Sequence, residues 1–305
     1  MRPLIATLYK KVLPAIFVVA ALGFGYVAIR RNGDAVWATL GAAAPGWVVA
    51  ATAAGGAGLL ASFLAWCGVA RSLGAELPKG AAFGIFFVSQ LGKYLPGAVW
   101  PVAAQYDIGR RLGTRPNALP SAGLITLGFG VAGACSLAAG AGNVVGVPVW
   151  WLVLIPVIVL SRPSALTDAM NSILTRLGRQ SGLPTMTVRQ AWRAMGWSVA
   201  SAALLGLQVL MISIAMSEGR GADEDLIRAA VAGFALALVA GIIAVPAPAG
   251  VGVRDGVLVA ALAESMPMPS ALAAAVAARV LLTATDVLFG IIALSWLPRR
   301  SSTIR

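Results

Sequence analysis

The sequence predicts an all-α integral membrane protein with about six full spans and two Pro/Gly-broken re-entrant hairpins. Three observations carry this. The 305 residues are 59% hydrophobic and 11% charged, where a soluble domain has roughly 25% charged residues. Apolar runs long enough to cross a bilayer recur at 12–29, 46–70, 119–140, 144–161, 194–216 and 271–297. Two further apolar segments, 80–108 and 226–264, are interrupted by proline and glycine, which a helix does not run through. Spans and short connections fill the chain, so one polytopic membrane domain, 1–305, is expected.

The run 12–29 follows Arg2, Lys10 and Lys11 and precedes Arg30–Arg31, with no convincing small-residue cleavage site. It reads as a retained helix rather than a signal peptide. Segment 80–108 contains SQLGKYLPGAVWPVAAQYD, broken at Pro96–Gly97 and again near Pro101. Glycines at 128, 130, 133 and 140 suit close helix packing in the next span. Residues 162–193 carry five arginines with Met170, Ile173, Leu174 and Leu177 interspersed, a pattern for an amphipathic helix on the inner leaflet. An ordinary positive-inside loop would carry the same charges. Segment 226–264 contains GIIAVPAPAGVGVRDGV at 241–257, broken by Pro246, Pro248, Gly250 and Gly252, with Arg254–Asp255 in the break. The arms of both broken segments are short for separate crossings, hence the re-entrant drawing. Two full crossings apiece would leave every other loop on the same side, so charge does not separate the two drawings.

Charge does choose an orientation. With the N-terminus inside, the inner regions hold Arg2, Lys10 and Lys11; Arg71 and Lys79; Arg110, Arg111 and Arg115; the five arginines of 162–193; and Arg299, Arg300 and Arg305. Those sixteen cations face four outside, Arg30, Arg31, Arg220 and Arg228. The positive-inside rule then puts both termini in the cytoplasm of a multi-pass plasma-membrane protein. In that topology each half, 1–142 and 143–305, runs helix, helix, hairpin, helix, and the two hairpins open to opposite faces. This is the pattern of an inverted repeat, a frequent transporter architecture.

Several chemistries are excluded. Histidine is absent, and Cys67 and Cys135 lie in apolar stretches, which argues against a His-based triad, a haem or a zinc site; no cofactor or metal is expected. The net charge of +12 fits loops facing anionic lipid better than a nucleic-acid partner.

What remains is a small set of polar residues at membrane depth. Non-helical backbone in a bilayer is tolerated where protein or a water-filled cavity surrounds it. Arg254 and Asp255 sit in such a break, where freed N–H groups and a guanidinium fork favour an anion. A local ion pair that only shapes the hairpin would use the same residues. On the last span Arg279, Thr283 and Asp286 fall at i, i+4 and i+7, one polar stripe facing protein or water. Arg279 could complete an anion site, and Asp286 could balance it or carry a proton; a structural salt bridge is the plain alternative. Lys93 and Tyr94 precede the first break, where Lys93 either meets a phosphate or snorkels to the surface.

Two of these segments, GKYLPGAVWPVAAQYDIGRRLG at 92–113 and VPAPAGVGVRDG at 245–256, resemble the membrane-embedded flippase region of lysylphosphatidylglycerol synthases and its stand-alone relatives. Residues 245–256 are similar to that family's proline–glycine–glycine–leucine–glycine–valine–arginine–glutamate signature, with Asp255 in place of the glutamate and Ala247 and Ala249 interrupting the glycines. The resemblance implies movement of an anionic or headgroup-modified lipid between leaflets, either a phospholipid or a polyprenyl-phosphate-linked sugar. It also implies a lipid-modifying enzyme as partner. No soluble aminoacyl-transferase domain is present in these residues, so the chain is not expected to be an enzyme itself. Two other functions fit the same chain: a membrane enzyme acting on a lipid-linked substrate, and a scaffolding subunit of a synthase.

Overall fold

The computed structural model describes residues 34, 38, 41, 43–94, 100–115, 117–217, 221–243 and 252–296. The expected first span, 12–29, and the break residues Pro96, Gly97, Pro246, Pro248 and Gly250 lie outside them. The described chain is helical: α1 (Pro45–Ser72), α2 (Lys79–Gln90) with a 3-10 turn at Leu91–Tyr94, α3 (Trp100–Arg111), α4 (Ala118–Gly140), α5 (Leu154–Ser161), α6 (Ser164–Arg176), α7 (Val188–Ala215), α8 (Glu224–Ile243), α9 (Val253–Leu262) and α10 (Met268–Leu294). A short antiparallel ladder, Asn143–Val144 against Val147–Pro148, precedes a 3-10 turn at Trp150–Val153. Five of the described helices, α1, α4, α7, α8 and α10, are long and apolar enough to cross a membrane. Helices satisfy their own backbone groups, which is why a bilayer admits them.

Three expectations need correction. Residues 144–161 do not form one continuous span. Val145 and Gly146 both adopt positive φ, 53° and 67°, the turn that a two-residue hairpin needs. The helical part of that run is Trp150–Ser161, the 3-10 turn continued by α5, and it bends by 76° into α6. Next, helix 162–193 is really two elements: α6 ends at Arg176, and Arg189 and Arg193 belong to α7. The reason is a capping box. Thr187 Oγ1 accepts from the Gln190 N–H at 3.4 Å while the Thr187 N–H donates to Gln190 Oε1 at 2.8 Å, so α7 starts well before its apolar run. Finally, the arms of segment 226–264 are unequal. α8 has 20 residues and passes as a span, whereas α9 has 10. Both arms of the first hairpin, α2 and α3, are short, with 12 residues each.

α1 and α7 form the central pair. Small residues let them approach: a Cβ on Gly58 would stand 2.9 Å from Leu205 Cγ, and Ser201 Oγ donates to the Gly58 carbonyl at 2.8 Å. This is the close packing plus polar glue that membrane helices use where no hydrophobic drive exists between them. The two broken segments divide between the same two helices: α2 and α9 pack on α10, and α3 and α8 pack on α4. At one end Trp296 lies against Gly80, Arg115 lies over Gly74, and Asn117 Nδ2 donates to the Gln180 carbonyl. At the other, the Val145 N–H donates to Glu264. Segments that the charge pattern puts on one side therefore share one end of the bundle.

Candidate functional site

α10 carries the polar stripe predicted for it and uses it to reach both broken segments. Arg279 and Asp286 are two turns apart, about 10 Å along the axis, and each holds a different hairpin.

On the second hairpin, Gly252 has φ +91°, a conformation open to glycine and strained for other residues. That turn starts α9 and puts Arg254 and Asp255 in its first turn. Asp255 Oδ2 accepts from the Gly252 N–H at 3.3 Å, so the carboxylate caps the helix whose positive end it faces. Arg279 Nη1 then donates to both carboxylate oxygens at 2.7 Å. Asp255 thus pairs across to α10 rather than with its neighbour. Arg254 turns away and sets its guanidinium over the Phe234 ring on α8, 4.9 Å from the centroid. Gly241 makes room for it, since a Cβ there would stand 3.0 Å from Arg254 Cβ.

On the first hairpin, Tyr94 OH donates to Asp286 Oδ2 at 2.6 Å, and Lys93 Nζ stands 2.6 Å from the same oxygen. Thr283 Oγ1 is 3.5 Å from the Tyr94 hydroxyl. Asp286 is 1% exposed and Lys93 31%, so the acid is deep and its ammonium partner reaches it from a wetter position. Asp286 Oδ1 has no hydrogen-bond partner among the described residues. Leu91 packs on Gly290 and the start of α3 packs on Gly92, which holds the 3-10 turn against α10. Asp286 is therefore not the partner of Arg279.

All seven predicted polar residues, Lys93, Tyr94, Arg254, Asp255, Arg279, Thr283 and Asp286, lie along the junction of α10 with the two hairpins. In their usual ionisation states they hold three cations and two anions. Beside the stripe, α10 presents an open apolar face, with Val280, Val287, Leu288 and Ile291 exposed next to Arg279 and Thr283. Sequence reasoning misses Phe234: nothing distinguishes it in a run of alanine and leucine, and the α8–α9 packing that makes it a cation seat is not written in its neighbours. Among the described residues no three His, Cys, Asp or Glu side chains come together as a metal would need.

No curated protein matches the chain. A family model does, over residues 12–290, which is nearly the whole sequence. The match takes in both hairpins and α10 as far as Gly290, and the chain belongs to the family of the lysylphosphatidylglycerol synthase transmembrane region.

Proposed function

We propose that this protein moves an anionic or headgroup-modified lipid between leaflets, and that Arg254 and Arg279 receive its phosphate. The observation that carries the proposal is the excess of cations at membrane depth, gathered where the two hairpins are tied to α10. Charges at that depth are expensive and persist where they are paired or used. Two of the three cations, Lys93 and Arg279, meet acids, and Arg254 rests on an aromatic face. Asp255 holds Arg279 in place, and Asp286 anchors the first hairpin through Lys93 and Tyr94. The exposed apolar face of α10 beside them suits acyl chains while the headgroup lies at Arg279.

Transport is favoured over catalysis because both embedded carboxylates are engaged as anchors, which leaves no free acid–base pair facing water among the described residues. An enzyme that builds the headgroup is the natural partner. The halves 1–142 and 143–305 are read as an inverted repeat, with both termini cytoplasmic. The packing supports this, since the first arm of each hairpin, α2 or α8, lies against the last helix of the other half and the second arm, α3 or α9, against that of its own.

Arg254→Lys and Arg279→Lys test the reading in liposomes holding fluorescently labelled phosphatidylglycerol. Lysine keeps the charge but loses the planar fork that makes two hydrogen bonds to one phosphate. Each variant is expected to lose about tenfold in transfer rate, the value of one charge-assisted hydrogen bond. If both express normally and transfer at the parental rate, the arginines are structural and the proposal fails.

A further inference from the structure

A cavity lies away from α10, where α3 ends and α4 begins. It holds about 200 Å³ and is lined by Gln105, Tyr106, Arg110, Thr114, Arg115 and Asn117, among others. That is smaller than the roughly 300–1,000 Å³ of sites for drug-sized ligands. The opening suits a headgroup fragment rather than a whole lipid.

Its walls are built, not incidental. Asn117 adopts φ +65° and donates through Nδ2 to the Gln180 carbonyl at 3.0 Å. Thr114 donates to the Gly109 carbonyl at 2.9 Å. Arg179 covers the Tyr106 ring at 4.9 Å, and the Arg115 side chain lies over Gly74. Gln105, 5% exposed, donates to Ser89 Oγ at 3.3 Å. Its Oε1 has no hydrogen-bond partner among the described residues and lies against Gly123 of α4.

The charge is one-sided. Arg110 and Arg115 both line the cavity, no acid does, and neither arginine makes an ion pair among the described residues. The nearest acid in sequence, Asp107, is taken by Arg111, one turn on and outside the lining. Two arginines lining a small cavity, with no acid among the lining residues, select an anion. The planar fork suits phosphate in particular.

We infer that this cavity is a second anion site, in which Arg110 and Arg115 bind the phosphate of a lipid headgroup or of a free phosphate at the bundle end. It does not depend on the role proposed for α10. The test uses the purified full-length protein in neutral detergent, with inorganic phosphate and dihexanoyl phosphatidylglycerol as separate titrants followed by calorimetry. At least one should bind. Arg110→Gln and Arg115→Gln should each weaken it about tenfold, as loss of a charge-assisted hydrogen bond does. Arg111→Gln should leave it unchanged. Phosphate binding as well as the lipid would identify a soluble ligand, and lipid binding alone a headgroup. Both arginines are exposed, so the variants should fold as the parent does, which gel filtration checks. The inference is overturned if neither titrant binds, or if both pocket variants bind as the parent does. It is also overturned if binding instead disappears in Arg254→Lys or Arg279→Lys, because the anion would then sit at membrane depth.

Discussion

Replacing Lys93 by methionine keeps the length and apolar stem of the side chain and removes the cation that faces Asp286. Breaking a buried ion pair from one side leaves an uncompensated charge and costs about 3–5 kcal/mol. Two features lower that here. The Tyr94 hydroxyl still donates to Oδ2, and Lys93 is 31% exposed, so water follows it in. We expect a loss of about 2–3 kcal/mol for Lys93→Met. Asp286→Asn should lose less, about 1 kcal/mol, because the freed ammonium can snorkel while an amide still accepts from Tyr94. The double variant leaves no lone charge and should recover about 2 kcal/mol relative to the sum of the singles, the signature of direct coupling. Unfolding in mixed micelles of dodecyl maltoside and increasing SDS, followed by tryptophan fluorescence, reads all four corners of the cycle. If Lys93→Met unfolds with the parent and the cycle closes without coupling, the Lys93–Asp286 contact does not hold the first hairpin to α10.

Gly252→Ala forces a side chain into the left-handed region at the start of α9 and should cost about 1–2 kcal/mol in the same assay; an unchanged midpoint would mean that the turn relaxes. Gly133→Ala would place a Cβ 2.9 Å from the Val199 backbone nitrogen, a clash backbone cannot yield to cheaply, so α4 and α7 must separate at a cost of about 1–3 kcal/mol. Cysteines introduced at positions 222 and 268 should react with an impermeant reagent added outside cells, and those at 75, 113 and 180 should not; labelling of 113 from outside would break the proposed topology.

The fold is legible where one physical demand dominates the sequence. The spans at 46–70 and 119–140 are apolar all round and that at 271–297 is apolar apart from one stripe, and α1, α4 and α10 follow them to within a few residues. The start of α7 is harder to place. Arg189 and Arg193 read as loop charges, and the Thr187–Gln190 box that turns them into the first turns of a helix is a short-range signal outweighed by composition. The run 144–161 fails for the opposite reason. It is apolar enough to span, but Gly142, Val145 and Gly146 turn the chain back, and a hydropathy window does not see φ. At the site, the identity of the polar residues can be read because a charged stripe on an apolar helix has nowhere to hide. Their pairing cannot. Arg254 and Asp255 resemble partners because they are adjacent, yet neighbours in the first turn of a helix point in different directions. Asp255 faces α10, and Arg254 faces α8.

That divergence has a mechanical meaning when set beside the packing. Arg279 is tied to the second hairpin and Asp286 to the first, and the two positions lie on one straight face of one helix. α10 also packs on α1 and α7, the central pair. A shift of either hairpin tip therefore moves a charge on α10, and α10 passes the load to the other tip and to the core. α8 and α3 pack on α4 as α2 and α9 pack on α10, yet α4 carries no charged residue from Ala118 to Gly140. The two hairpins share α4 and α10 evenly in packing and unevenly in charge. Ion pairs lock one side of the bundle, while small residues and van der Waals contact hold the other. An element held by contact alone slides more easily than one held by desolvated ion pairs, so motion of the hairpins relative to α4 should come before rupture of either ion pair on α10.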